Sequence, residues 1–344
     1  TVAAGQGRSG AAVTYSMMAV CAAPETLHYK EQLLQIGGEN QVSGYHALAE
    51  QAITVCLKSA KHLDCSMMRT LWVTHLISTP DFYAAYGHAM VKMHPLDPNN
   101  KNFFESITDF KPLFTPVFLL GISNIVVYSL VFEEFITHLR RHLLLDWQQN
   151  KRFTPEERAT LAAALSHYAL HTDYILNTTA EEENILSRLQ EGCMETTNAG
   201  EVALLACYKP LYILDFKEHL EKSFQGNPLI TGVIEAQITK ADALQKISSK
   251  ITALTTVGDD VSLQVREQYE TFPYPRWLSL SPNAIREGWE RTGRNVEIEG
   301  ALRGKKAKIL IAGCGTGKQA ITYASIFPDA EILAVDLSCT SLAY

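Results

Sequence analysis

The sequence predicts a mostly α-helical N-terminal region, helical-repeat-like or a helical bundle, followed by the first β-α-β unit of a doubly wound α/β sheet. Three observations predict it. Residues 1–110 carry apolar stripes at helical spacing and no strand-like alternation. Helix-capping signals recur at 154, 179 and 198. Near the end of the chain, the apolar run Ile309-Leu310-Ile311-Ala312 reaches three alternating glycines, a helical stretch over 318–327 and a second apolar run, Ile332-Leu333-Ala334-Val335, which stops on Asp336.

From the N-terminus, residues 11–22 form an apolar helix that stops before Pro24. Residues 28–36 form a second, closed by Gly37-Gly38 as a C-terminal cap. A longer helix over 45–62 has the stripe Ala49, Ala52, Ile53, Cys56 and Leu57, and helices over 67–77 and 81–93 follow, the last closed by Pro95. An internal echo sets Ala11, Pro24, Tyr29 and Leu33 against Ala85, Pro98, Phe103 and Ile107 at a constant offset of 74. Two tetratricopeptide units span about 68 residues, so degenerate repeats with longer loops fit. An unrelated helical bundle fits as well.

Residues 113–132 carry no charged side chain over 20 positions, but Pro116, Gly121, Ser123 and Asn124 interrupt them and Glu133-Glu134 follows directly. A membrane span wants an unbroken apolar stretch of that length, so none is expected. The reading is a helix over 117–120, a turn over 121–124 and a buried helix from about 125. Phe132, Phe135, Ile136, Leu139 and Leu143 point inward, with Arg140-Arg141-His142 on the wet side. Thr154-Pro155-Glu156-Glu157 is a capping box with proline at the first helical position. Thr179-Ala180-Glu181-Glu182 and Asn198-Ala199-Gly200-Glu201 repeat the device, and Glu181-Glu182-Glu183 reads as a solvated run at a helix start. Further helices cover 210–223 and 234–251, and Val257-Gly258-Asp259-Asp260 precedes the helix that carries Tyr269. The domains therefore read as 1–110, 111–258 and 259–344. His167 and His171 have zinc-ligand spacing, but no third ligand stands at a defined distance, so they are expected to pack between helices.

Bulk numbers bound the function. A chain of 344 residues supports two or three cores. A formal charge of −7 argues against a general nucleic-acid binder. The seven cysteines contain no C-x-x-C pair and are odd in number, which suggests reduced thiols in a cytoplasm. The N-terminus shows no signal-peptide pattern. A doubly wound sheet of two strands cannot bury its faces, so the expectation is a fragment cut inside its last domain.

The loop Gly313-Cys314-Gly315-Thr316-Gly317 joins an apolar strand to a helix, with an acid at the tip of the next strand. That is the first half of a nucleotide-binding sheet, where a carboxylate can accept hydrogen bonds from a ribose. A phosphate P-loop is excluded, because only three residues separate Gly313 from Gly317 and Gln319 replaces the hydroxyl residue. A dinucleotide fingerprint fits weakly: Gly315-Thr316-Gly317-Lys318-Gln319-Ala320 matches G-x-G-x-x-A, and Asp336 lies 21 residues after Gly315. Cys314 is tolerated in the loop for its small side chain, not as a nucleophile.

The fuller string Ala312-Gly313-Cys314-Gly315-Thr316-Gly317 resembles motif I of class I S-adenosyl-L-methionine-dependent methyltransferases. Upstream stand Gln268-Tyr269-Glu270 and Pro273-Tyr274-Pro275-Arg276-Trp277, and downstream Val335-Asp336-Leu337-Ser338. Together they are similar to bacterial methyltransferases that carry tetratricopeptide repeats before the catalytic domain. In that group the helical part before the catalytic domain also looks like residues 101–258. The resemblance covers roughly the last two thirds of the chain, most strongly from Val265 onward. It implies a Rossmann-like catalytic domain with S-adenosyl-L-methionine as cofactor. It places Gly313, Cys314, Gly315, Thr316 and Gly317 at the methionine end, with Thr316 and Lys318 giving backbone donors. Asp336 would hold the ribose and Leu337 flank the adenine, with Tyr269 and Arg276 within reach of the cofactor carboxylate. One departure stands out: most class I enzymes place an acid two residues before the first glycine, where this chain has Ile311. The expected activity is methyl transfer to an acceptor the sequence does not name, a protein held by the helical region among the choices. The alternative is a helical protein-binding scaffold with a non-catalytic methyltransferase-like half; a nicotinamide-dependent oxidoreductase ranks third.

Overall fold

The computed structural model describes residues 9–39, 46–87, 107, 109–149, 151–196, 198–254, 256, 258–281 and 306–344. They are mostly helical, with one pair of strands. The chain divides into two units, Thr1–Ala60 with Cys65–Thr239, and Lys61–Asp64 with Lys240–Tyr344.

The first unit contains α1 (Ser9–Ala22), α2 (Leu27–Glu39), α3 (Ala47–Lys58), α4 (Arg69–Ser78), α5 (Pro116–Asn124), α6 (Leu130–Gln149), α7 (Pro155–His171), α8 (Ala180–Cys193), α9 (Ala199–Ala206) and α10 (Lys217–Ser223). Helix α1 packs on α2 and α3, α3 on α5, and α7 on α5, α6 and α9. Helices from both sides of residue 110 thus share one core. The expected boundary at 110/111 falls inside this unit, and the second begins its long stretch at Lys240 and not at 259. Pro98 and Phe103 of the internal echo lie outside the described residues, as do positions 88–93 of the expected 81–93 helix.

Three glycines expected to punctuate helices sit inside them. Gly37 and Gly38 do not close α2, which continues to Glu39. A Cβ at Gly37 would come within 2.9 Å of Leu71 Cδ2, and one at Gly38 within 2.3 Å of the Met67 carbonyl oxygen. They are glycines of close approach. Gly121 likewise lies within α5 and forms no turn, because the indole of Trp72 fills the space beside it: a Cβ there would meet Cε2 at 2.1 Å. Trp72 is fully buried, donates from Nε1 to the Val117 carbonyl at 2.9 Å and meets Phe132 edge-on. Gly121→Ala should therefore destabilise the unit by about 1–3 kcal/mol, the usual cost of overpacking a filled core, and urea denaturation followed by far-UV circular dichroism would read it. No helix among the described residues is long and apolar enough to cross a membrane.

In α6, Phe132, Phe135, Ile136, Leu139 and Leu143 are buried as expected. Arg140, expected on the wet side, is not: it is 1% exposed. Its guanidinium donates to the carbonyls of Asn177 at 2.7 Å and Leu176 at 3.3 Å, and lies 4.0 Å over the Tyr208 ring. His142 stacks on Phe110 at 5.7 Å, and burial, then the Arg152 charge, lowers its pKa to about 4. Arg141 and His142 are half-buried, and Arg141 pairs with Glu181 at 2.8 Å.

Both threonine capping boxes are present, and each threonine side chain accepts from the backbone of its glutamate. Asn198 caps α9 through Gly200, but Glu201 turns away to Thr196, so the third box is not reciprocal. Glu182, in the acidic run expected to be solvated, is buried and accepts from the Tyr208 hydroxyl at 2.9 Å. His167 and His171 stack with ring centres 6.3 Å apart.

The second unit holds α11 (Lys240–Ser248), α12 (Asp260–Thr271), β1 (Lys308–Ala312), α13 (Lys318–Ile326), β2 (Glu331–Val335) and α14 (Cys339–Ala343). The Asp259 side chain starts α12 by accepting from Ser262 N at 2.8 Å. The strands are parallel, with Lys308 opposite Glu331 and Ala312 opposite Val335. α13 makes the crossover that a parallel pair requires. Leu310 and Leu333, paired in register, are 66% and 59% exposed.

Candidate functional site

Where β1 ends, Gly313, Gly315 and Gly317 all take left-handed φ values, +70°, +53° and +79°. Such backbone favours glycine. At Gly315 space adds to conformation: a Cβ would stand 2.3 Å from the Tyr274 carbonyl oxygen. At Gly313 a Cβ would meet no atom within 4 Å, because the backbone there faces an open cleft.

The loop is tied down on both sides. Gly313 and Cys314 donate to the Val335 carbonyl at 2.9 and 3.0 Å, which locks the turn to the end of β2. Gly315 N donates to Asp336 Oδ2 at 2.7 Å, and Ser338 N donates to Asp336 Oδ1 at 2.9 Å. Each carboxylate oxygen then holds one backbone partner and keeps a lone pair for another. From the other side, Thr316 N donates to the Tyr274 carbonyl at 3.3 Å and the Thr316 hydroxyl donates to the Pro275 carbonyl. The segment Phe272-Pro273-Tyr274-Pro275-Arg276-Trp277 is thus a strap laid over the glycine loop. Trp277 anchors it: Nε1 donates to the Thr316 carbonyl at 3.3 Å, and its backbone N–H and carbonyl both bond the Tyr344 hydroxyl.

Beneath the strap lies a cleft of about 1500 Å³. Of the residues singled out in the sequence, Tyr269, Gly313, Cys314, Gly315, Asp336 and Leu337 line it. Thr316, Gly317 and Arg276 do not. Thr316 is 3% exposed and spends its N–H and hydroxyl on the strap, so it offers neither to a ligand. Gly317 instead starts α13. In place of Arg276, the guanidinium at the cleft is that of Arg266, one turn before Tyr269 on α12. The i, i+3 spacing from Tyr269 was the available signal for it. Arg266 is 45% exposed at its side chain and 3.9 Å from Glu270. Lys318 also lines the cleft, 3.5 Å from Asp64. The remaining walls are largely apolar, with Ile251, Val265 and Ile326 among them.

Burial, and then the Asp336 carboxylate, raise the Cys314 thiol above its ordinary pKa. It stays protonated at neutral pH and is no nucleophile. The cleft therefore presents a fixed carboxylate, an open stretch of backbone at Gly313 and a guanidinium at its edge: features that bind and orient. Comparison with protein-family models found no match to this chain, and neither the curated proteins nor the solved structures returned one.

Proposed function

We propose that the second unit binds S-adenosyl-L-methionine and that the protein is a methyltransferase of the class I, Rossmann-like type. The observation that carries the reading is Asp336, held at the tip of β2 by the Gly315 and Ser338 N–H groups over a glycine turn open to the cleft. In this reading its remaining lone pairs accept the ribose hydroxyls. Leu337, 42% exposed, flanks the adenine. Gly313 lets the methionine end lie against the backbone, and Tyr269 closes over it from α12. Ile311 is buried in β1, so no side chain two residues before Gly313 reaches the ammonium group. When bound, the cofactor supplies a methyl group on a sulfonium for in-line attack by the acceptor. The part of this chain is to orient it. The helical unit takes the second role, holding a protein partner; Tyr15 and Met18, 64% and 52% exposed, lie one turn apart on α1.

Calorimetric titration with S-adenosylhomocysteine tests the proposal, with NADH as control. The expected result is micromolar binding of the thioether, no binding of NADH, and a loss of about tenfold to a hundredfold in Asp336→Ala, the scale of charge-assisted hydrogen bonds to the ribose. Binding of NADH alone would favour the oxidoreductase. Binding of neither ligand by the folded protein would leave the helical scaffold as the working part.

A further inference from the structure

The cofactor reading uses Tyr269 but assigns nothing to its neighbour Glu270. That side chain reaches across to a part of the chain 69 residues on. Glu270 Oε1 accepts from Cys339 N at 2.7 Å, and Oε2 accepts from Thr340 N at 3.1 Å and from the Thr340 hydroxyl. Just before these donors, the Ser338 hydroxyl donates to the Tyr269 carbonyl at 3.0 Å, while Ser338 N holds Asp336 Oδ1. One short turn, 336–340, therefore carries the ribose-facing carboxylate at one end and the Glu270 clamp at the other. Ser338 is fully buried between them. The strap that follows α12 is fastened through backbone atoms of Tyr274, Pro275 and Trp277 and through the Trp277 indole. Glu270, with Arg266 3.9 Å away, is the carboxylate on α12 that takes three donors from the 336–340 turn, and an acceptor-only group of that reach suits them.

We propose that Glu270 is a positioning residue for ribose recognition: by clamping the 336–340 turn to α12, it sets the orientation in which Asp336 meets the two ribose hydroxyls. The inference rests on the cofactor reading above. Asp336 is short, and a turn free to rotate would keep the charge in the cleft while losing the alignment on which a two-hydroxyl contact depends.

The test is the affinity of the full chain for 5′-methylthioadenosine and for its 2′-deoxy form, measured by calorimetry in the wild type, Glu270→Ala, Thr340→Val and Glu267→Ala. The wild type should prefer the ribose ligand about tenfold, the worth of one charge-assisted hydrogen bond. In Glu270→Ala that ratio should collapse toward one, and Thr340→Val, which removes only the hydroxyl from the clamp, should lower it part of the way. Glu267→Ala, on an exposed position of the same helix, should keep the wild-type ratio. A role confined to stability would weaken both ligands alike and leave the ratio unchanged, and that result in Glu270→Ala overturns the proposal. Should Glu270→Ala not fold, an unchanged ratio in Thr340→Val does the same. A wild type that binds neither ligand fails the cofactor reading itself. A wild type that binds both without preference leaves that reading standing and removes the role given to Glu270.

Discussion

Arg140→Ala is expected to destabilise the helical unit by about 3–5 kcal/mol, the cost of breaking a buried, hydrogen-bonded charge. The guanidinium donates to the carbonyls of Leu176, Asn177 and Cys207 and to the Thr178 hydroxyl. It also lies against Tyr208, whose hydroxyl donates to the buried Glu182, whose Oε2 in turn accepts from Thr179 N at 2.8 Å. Burial pushes the Tyr208 hydroxyl well above its ordinary pKa, so that it remains a donor throughout the usual pH range. Truncation would strip the carbonyls of their donor and leave the Glu182 carboxylate in a pocket that has lost a positive charge. Arg140→Met separates the causes. It fills most of the volume and donates nothing, so if the loss is chiefly polar it should recover less than half of the stability. The quantity to read is the urea midpoint of the helical signal. A loss below about 1 kcal/mol for Arg140→Ala, the worth of one ordinary hydrogen bond, would mean that the network is dispensable.

Gly315→Ala should act on the second unit and be nearly as severe, at about 3 kcal/mol. Left-handed backbone costs an alanine about 1–2 kcal/mol. The added methyl would also stand 2.3 Å from the Tyr274 carbonyl oxygen, so the strap must lift. Lifting it breaks the two bonds from Thr316 to Tyr274 and Pro275, each worth about 1 kcal/mol. Gly313→Ala is the informative companion, since its methyl would meet no protein atom within 4 Å. It should pay the conformational term alone yet still obstruct a ligand in the cleft. Limited proteolysis at the strap, beside S-adenosylhomocysteine titration, would distinguish the two: strap cleavage rising in Gly315→Ala, affinity lost with an intact strap in Gly313→Ala. Equal cleavage in both variants would show that the strap is not what Gly315 accommodates.

What was legible in the sequence was what is written locally. The turn from β1 into α13, the acid at the end of β2 and the two threonine boxes are each signalled within a few residues of where they act. The misreadings are long-range. Arg140 reads as part of the wet face with Arg141 and His142 because its acceptors lie 36 to 67 residues further on. Glu182 reads as solvated because the hydroxyl it accepts belongs to residue 208. Thr316 was expected to face a ligand, and only the strap, 41 residues upstream, explains why its hydroxyl is engaged. The exchange of Arg266 for Arg276 has the same origin. Adjacency in the motif pointed to the residue beside Trp277, whereas helical phase from Tyr269 points to the one that lines the cleft.

The two adjacent glycines inside α2 also bear on how the chain folds. Each lowers intrinsic helix stability by about 1 kcal/mol relative to alanine, so the last turn of α2 has little tendency to form in an isolated chain. What holds it is the close approach of Met67 and Leu71, roughly thirty residues downstream. That end of the helix is therefore expected to form late in collapse and not to nucleate it. If its ordering waits for the segment leading into α4, Gly37→Ala and Gly38→Ala should change the unfolding rate and leave the folding rate nearly unchanged in stopped-flow urea jumps.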